Sequence, residues 1–492
     1  MPSPARSAVT ILLCGVVCGA AAPVVAAQSG PPRLGRSTSA PIDVPRIVYT
    51  RFVLPNGLVV VLHEDHSSPI VALDLAYHVG SKDEPVGMRG LAHLFEHAMF
   101  DGSANVAPGE HKRIIAEAGG FSNAFTREDR TVYVEQVPSN MLETVLWLEA
   151  QRMAFLPARD SLLFELQRAA VVNEYGLAMD GSPAGATGRP LDGRLGGEVF
   201  LGAMFPDPNP YHITPFGVMS ELKTATVGDY RAFFDKYYGP NNATLVLVGD
   251  FTIANARRAI ERYFGGIPKR APVTHPSAAT QPLPRETRLV LEDRVSSMQQ
   301  LWIGWRGAPA TSQDRIALEA LASVLSGGSA SRLPRILING RKLASAMPSS
   351  GHFDLENVGI FQLVTTAAPN ASMTEIEGVI DSVITDVRDN GVQPVEVQRW
   401  LAAFTVASVL NLQRDVMKAA LLEDGEVVYR DPGAELNNIA AARRVTPSEI
   451  QRVAREYLTR GRVVMSIVPP GKLELISKPG EPYLLVTRAK TP

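Results

Sequence analysis

The sequence predicts an α+β chain of two similar domains, and three observations carry that reading. Strand and helix patterns alternate from residue 47 onward. A proline-rich stretch at 269–285 interrupts them, and after it the plan restarts. Both halves also close alike: TVGDYRAFFDKYYGPNNATLVLVGD and TPSEIQRVAREYLTRGRVVMSIVPP each read as helix, tyrosine, short turn and apolar strand. Together these imply an internal duplication of about 210 residues.

Residues 1–27 hold one arginine, an apolar run from Ala8 to Ala22 and the small residues Val25, Ala26 and Ala27. This is the pattern of an export signal cleaved near Ala27, which places the mature protein in the periplasm or outside the cell. An uncleaved membrane anchor is the alternative. Both cysteines, Cys14 and Cys18, lie in this leader, so the mature chain is expected to have no disulfide and to rely on the size of its core. Neither cysteine follows the small residue that lipid attachment requires.

Residues 28–46, rich in Ser, Pro and Gly, read as a flexible lead-in. The first domain is expected over 47–268. RFVLPNGLVVVLHED gives two strands about a Pro55-Asn56-Gly57 turn, and IVALDLAYHVG gives a third. A short helix follows in GLAHLFEHAM. Further helical patterns cover 109–118, 139–155 and 160–178, with a strand in RTVYVEQVP. The helix-turn-strand unit then leads to a last helix in ANARRAIERYFGGIP. Residues 269–285 form the linker. The second domain, 286–476, offers strands in RLVLED, QQLWIGWRG and GIFQLVTTAA and a helix from Gln313 to Leu325. Residues 477–492 are left as a tail.

A chain of 492 residues, 45% hydrophobic and 20% charged, exceeds one core and describes ordinary globular domains. Losing the leader removes one of the 48 basic side chains and none of the 50 acidic ones, which leaves a net charge near −3. Such a balance gives no basis for nucleic acid or an anionic membrane as partner.

The chemistry gathers in GLAHLFEHAM. At helical period Leu91, Leu94, Phe95 and Ala98 make an apolar stripe, while His93, Glu96 and His97 share the other face. Two imidazoles one turn apart can point at one zinc ion, and the carboxylate between them can reach a water beside it. The order H-x-x-E-H inverts the commoner H-E-x-x-H. A catalytic zinc takes a third protein ligand, expected as a carboxylate on a neighbouring helix. LLFELQRAAVVNEYG supplies both Glu165 and Glu174, and spacing alone does not separate them. The remaining histidines, His63, His66, His78, His111, His212, His275 and His352, show no ligand spacing and are expected at surface or turn positions.

GLAHLFEHAMFDGS, AGGFSNAFTREDRTVY and LQRAAVVNEY together resemble the insulinase/pitrilysin family of zinc peptidases, in its half-length bacterial branch similar to mitochondrial processing peptidase. The likeness runs over residues 48–475. It implies two processing-peptidase-like domains, each a mostly antiparallel sheet covered by helices, closing face to face over a cleft. It implies one zinc per chain held by His93, His97 and Glu174, the glutamate of the NE pair 77 residues after His97. Glu96 would then act as general base in peptide-bond hydrolysis, passing the water's proton to the leaving nitrogen. Asn123, with Ala124 beside it on an exposed edge, matches the position that bonds the substrate main chain, so an extended peptide would add there as a strand.

Two positions depart from the family pattern. Gln167 stands where an acid is usual, two helical turns before the third ligand. In the second half SASRLPRILINGRKLASAM keeps Arg332, expected to reach the substrate carbonyl, but Ser345 replaces its tyrosine companion. A serine hydroxyl is too short to take over a phenol's bond to a developing oxyanion. The resemblance therefore implies a partner of the same family that lacks the zinc motif and supplies the Arg/Tyr pair. A homodimer or monomer using Tyr211 or Tyr133 is the alternative. A non-catalytic scaffold or assembly subunit is the rival reading, although such relatives lose the ligands that this chain keeps.

Overall fold

The computed structural model describes residues 46–156, 161–180, 195–278, 281–293 and 298–486. The expected export signal, and the lead-in up to residue 45, lie outside them. Two six-stranded sheets, each covered by helices, form the frame. In the first, β1 (Thr50–Val53), β2 (Val59–Glu64), β3 (Ile70–Tyr77), β4 (Phe121–Thr126), β5 (Thr131–Pro138) and β6 (Ala243–Gly249) lie in the order β1-β2-β6-β3-β5-β4. In the second, β7 (Thr287–Glu292), β8 (Gln300–Gly307), β9 (Ser349–Asp354), β10 (Gly359–Thr366), β11 (Val463–Val468) and β12 (Leu484–Val486) lie in the order β12-β7-β11-β8-β10-β9.

The two orders match strand for strand. β2 runs parallel to β6 as β7 does to β11, and β3, β5 and β4 follow antiparallel as do β8, β10 and β9. The outermost strands alone differ: β1 is antiparallel to β2, whereas β12 is parallel to β7. β12 falls in the segment expected as a tail, and its pairing covers a sheet edge that would otherwise be open. The helix-to-strand units also share their local cause. Thr226 caps the helix Val227–Tyr237 in a box with Asp229, and Thr446 caps Pro447–Tyr457 in a box with Glu449.

β3 and β6 are apolar almost throughout because both of their faces are covered. One face, with Val60, Leu62, Leu73, Leu75, Leu245 and Leu247, packs on helices of its own half. On the other face, Val61, Ala72, Val246 and Val248 meet Leu412, Ala419 and Leu422 from the second half. The exchange is reciprocal. Phe200, Leu201 and Met204, from the helix Leu195–Met204, cover Leu289, Trp302, Val463 and Met465 of the second sheet. Each buried leucine or phenylalanine in these contacts contributes roughly 1.5–3 kcal/mol, so the halves hold each other through apolar area.

Charge pairs reinforce the same junction. Arg130, at the turn between β4 and β5, meets Glu423 at 3.0 Å and Asp424 at 2.6 Å, and Arg51 bonds Glu426 at 2.8 Å. Lys82 reaches Asp129 at 2.8 Å and also contacts Glu356. No helix among the described residues is long and apolar enough to cross a membrane.

Candidate metal centre

The helix Leu91–Ala98 owes its placement to both of its faces. Phe95 stacks on Tyr230 at 4.1 Å with the rings 5° from parallel, and on Tyr238 at 4.7 Å, which anchors the apolar stripe. At the N-terminus Gly90 adopts φ 109°, a conformation open chiefly to glycine. Its N–H and that of Ala92 donate to the Glu84 carboxyl at 2.8 and 2.7 Å. Burial pushes Glu84 up to about 8. Gly217 packs so tightly on this turn that a Cβ would stand 2.2 Å from the Gly90 nitrogen.

With the helix fixed, His93 and His97 stand 4.9 Å apart, ring centre to ring centre. Glu174, from the helix Ser161–Asp180, places Oε2 3.1 Å from His97 Nε2 and 3.8 Å from His93 Nε2. These three donor atoms lie within 4.8 Å of one another. Burial, then the neighbouring His97, pushes His93 down to about 4, so its imidazole is neutral and has a lone pair to give. The bond from His97 holds Glu174 below the usual carboxylate range. Two imidazole nitrogens and a carboxylate are a donor set zinc takes, so the residues present fit that ion. Glu165, the alternative by spacing, pairs instead with Arg168.

Glu96 lies beside the three ligand candidates without joining them. Thr126, at the end of β4, donates its hydroxyl to Glu96 Oε2 at 2.7 Å, and burial raises the carboxyl's proton affinity. A buried carboxylate held by Thr126 beside the three ligand candidates is suited to accept a proton from a nearby water. β4 is the edge strand of its sheet, and Asn123 is exposed on it while Ala124 is buried opposite Tyr133. The strand expected to receive peptide therefore runs beside the helix that carries Glu96.

Other expected residues lie elsewhere. The Arg332 guanidinium bonds Glu396 at 2.8 and 2.7 Å, Asp386 at 2.9 Å and the Gly391 carbonyl at 3.1 Å, all within the second half. Reaching a substrate would require it to give up these bonds. Ser345 donates to the Ala367 carbonyl at 3.0 Å. Tyr133 and Tyr211, considered as substitutes for the missing tyrosine, are both buried and engaged. Tyr133 donates to the Phe95 carbonyl at 3.2 Å, and Tyr211 to Asp129 at 2.6 Å. Gln167 donates to Asp101, so a carboxyl remains in contact with the position where the family pattern has an acid.

The expectation that the other histidines lie at the surface or in turns fails for His78 and His111, both buried. His78 pairs with Glu356 at 2.9 Å, and His111 belongs to a charged cluster under β4 and β5. Two contributors escaped sequence reasoning. Thr126 stands in a quoted motif but gives no sign of its partner, and Glu84 precedes the helix by a distance at which no capping pattern is read.

Two sequence profiles match the chain. The one described as Insulinase (Peptidase family M16) covers residues 59–175, and the one described as Peptidase M16 inactive domain covers 224–404. The chain is 27% identical over 429 residues to the zinc protease PqqE of Helicobacter pylori, spanning 86% of this chain and 93% of that protein. It is 23% identical over 428 residues to an uncharacterised zinc protease of Streptomyces coelicolor, spanning 86% and 90%. Among solved structures, a protease from Helicobacter pylori superposes with a TM-score of 0.78 at 24% identity, over 86% of this chain and all of that one. The periplasmic protease PqqL of Escherichia coli gives 0.70 at 17% identity, over 87% of this chain and 48% of that one. These superpositions establish the two-domain fold.

Proposed function

Given that the chain belongs to the insulinase family of peptidases, we propose that it is a zinc-dependent endopeptidase or oligopeptidase of short or unfolded polypeptides. The observation that carries this reading is the convergence of His93, His97 and Glu174 with Glu96 held alongside by Thr126.

In this reading His93, His97 and Glu174 hold one zinc. Zinc bound there supplies Lewis acidity, polarising the scissile carbonyl and making a water acidic near neutral pH. Glu96 takes the proton of the attacking water and delivers it to the leaving nitrogen. Thr126 holds the Glu96 carboxylate in place for that role. Asn123 and the β4 backbone hold the substrate as an added strand, which selects extended chains over folded ones.

The inactive-domain profile gives the scaffold reading its footing. It covers residues 224–404, however, and both metal-capable clusters among the described residues lie before that stretch. The same division supports a working partner. Arg332 is tied up and Ser345 is short, and PqqL is about twice as long as the part this chain matches. We infer pairing with a related half-length chain lacking H-x-x-E-H. The leader pattern and the periplasmic location of PqqL support a periplasmic setting.

The test is turnover of an unbiased peptide library by the full chain, with and without chelator, alone and with such a partner. Cleavage abolished by chelator and raised by the partner is expected. Cleavage indifferent to chelator would overturn the metal reading. Absence of cleavage in every combination would favour the scaffold.

A further inference from the structure

Beneath β4 lies a second cluster that the peptidase reading leaves unused. Glu135 of β5, Glu149 and Arg152 of the helix Leu142–Ala154 and His111 of the helix Glu110–Glu117 are each at most 3% exposed. His111 Nε2 bonds Glu135 Oε1. Arg152 Nη2 stands 3.3 Å from Glu135 and 3.1 Å from Glu149. Donor atoms of His111, Glu135 and Glu149 lie within 4.8 Å of one another, a grouping that by itself would suit a metal ion. Arg152, however, already supplies a cation against both carboxylates.

The hydrogen bonds do not close if both carboxyls are ionised. Apart from the ion-pair contact of Arg152 with Glu149 Oε1, Glu135 Oε2 and both oxygens of Glu149 make no hydrogen bond, although they are buried together. Two carboxylates facing one another offer only acceptors, and leaving such groups unpaired in a dry interior is costly. A proton on Glu149 turns one acceptor into a donor toward Glu135. It also leaves one negative charge against the one positive charge of Arg152, with His111 neutral because burial pushes it down to about 3.

The cluster touches what the substrate strand rests on. Ser122, paired across from Glu135 and adjacent to Asn123, donates to Glu135 Oε1 at 3.2 Å. Arg152 lies over Tyr133 at 4.6 Å and over Phe100, two residues past the metal-binding helix, at 4.9 Å. We propose that Glu135 and Glu149 share one proton and, clamped by Arg152 and His111, act as a positioning group that holds β4 and Asn123 in place for a peptide. The positioning half of this inference rests on the peptidase reading, whereas the shared proton does not.

The groups that face Glu149 are Glu135 from β5, Tyr77 from β3, His111 with Lys112 next to it, and, on its own helix, Arg152, which also lies over Tyr133. Burial pushes Glu149 from an ordinary 4.5 up to about 8. Between those values the unfolded chain sheds this proton and the folded chain keeps it. Folding stability from this group therefore falls as pH rises from about 4.5 to about 8 and is level above that.

The experiment compares the full chain with its Glu149→Gln and Glu149→Ala variants in three readouts: unfolding temperature from pH 5 to 8, hydrogen exchange in residues 121–126, and the zinc count. Glutamine mimics the neutral acid, so Glu149→Gln should match the parent at pH 5 and become the more stable of the two by several degrees toward pH 8. Its strand exchange should stay slow, while Glu149→Ala should exchange faster and, with peptide, show a raised KM at nearly unchanged kcat. A temperature offset independent of pH would overturn the shared proton. Unchanged β4 exchange in Glu149→Ala would overturn the positioning role. A second metal ion per chain, lost in Glu149→Gln, would replace both with a metal site. Peptide turnover missing from the parent would count against the peptidase reading and leave the unfolding and exchange results standing.

Discussion

Replacing Glu96 by glutamine is expected to leave one zinc per chain while peptide turnover falls about 100- to 10,000-fold, the range for a positioned acid–base group. At about 1.36 kcal/mol per factor of ten, that is about 3–5 kcal/mol of transition-state stabilisation. The expectation follows from placement. Glu96 is beside the ligand candidates but outside the group of three that converges, and its contact is with Thr126. Glutamine keeps the shape and can still bond Thr126, but it cannot accept the water's proton. Steady-state kinetics beside elemental analysis separate the roles: stoichiometric loss of zinc from Glu96→Gln would make Glu96 a ligand.

Removing the Glu174 carboxylate should act on the metal itself. In Glu174→Ala only His93 and His97 remain, and zinc affinity should fall by more than the 10- to 100-fold typical of residues that merely bond the ligands. Glu165→Ala removes a partner of Arg168, and Gln167→Ala removes a bond to Asp101, so both should retain zinc. Competition with a chromophoric chelator measures all three. An empty site in Glu165→Ala with a full one in Glu174→Ala would place the ligand one face away on that helix.

The parts of this site visible in the sequence are those set by local geometry. His93, Glu96 and His97 share a helix face whatever surrounds the helix, and Asn123 lies in a run that reads as an edge strand. Glu174 could be separated from Glu165 only through a family pattern, because the helix they share makes either available. Thr126 and Glu84 depend on contacts that only the folded topology creates, between residue types too common to signal a role. His111 was misplaced for the same reason: a lone histidine with no ligand spacing gives no sign of the glutamates that close around it. In the fold, the repeat of helix, turn and strand revealed the duplication. The exchange of Leu195–Met204 and Asp415–Tyr429 between the halves was hidden, since an apolar helix does not state which sheet it covers.

Whether zinc sits on His93, His97 and Glu174 is read directly by X-ray absorption at the zinc edge of the purified full chain. One zinc per chain is expected, with two imidazole nitrogens at about 2.0–2.1 Å and carboxylate or water oxygens at about 2.0–2.2 Å, and with loss of that signal in Glu174→Ala. A chain that binds no zinc, or one whose zinc keeps the same two-imidazole spectrum after Glu174→Ala, would contradict it.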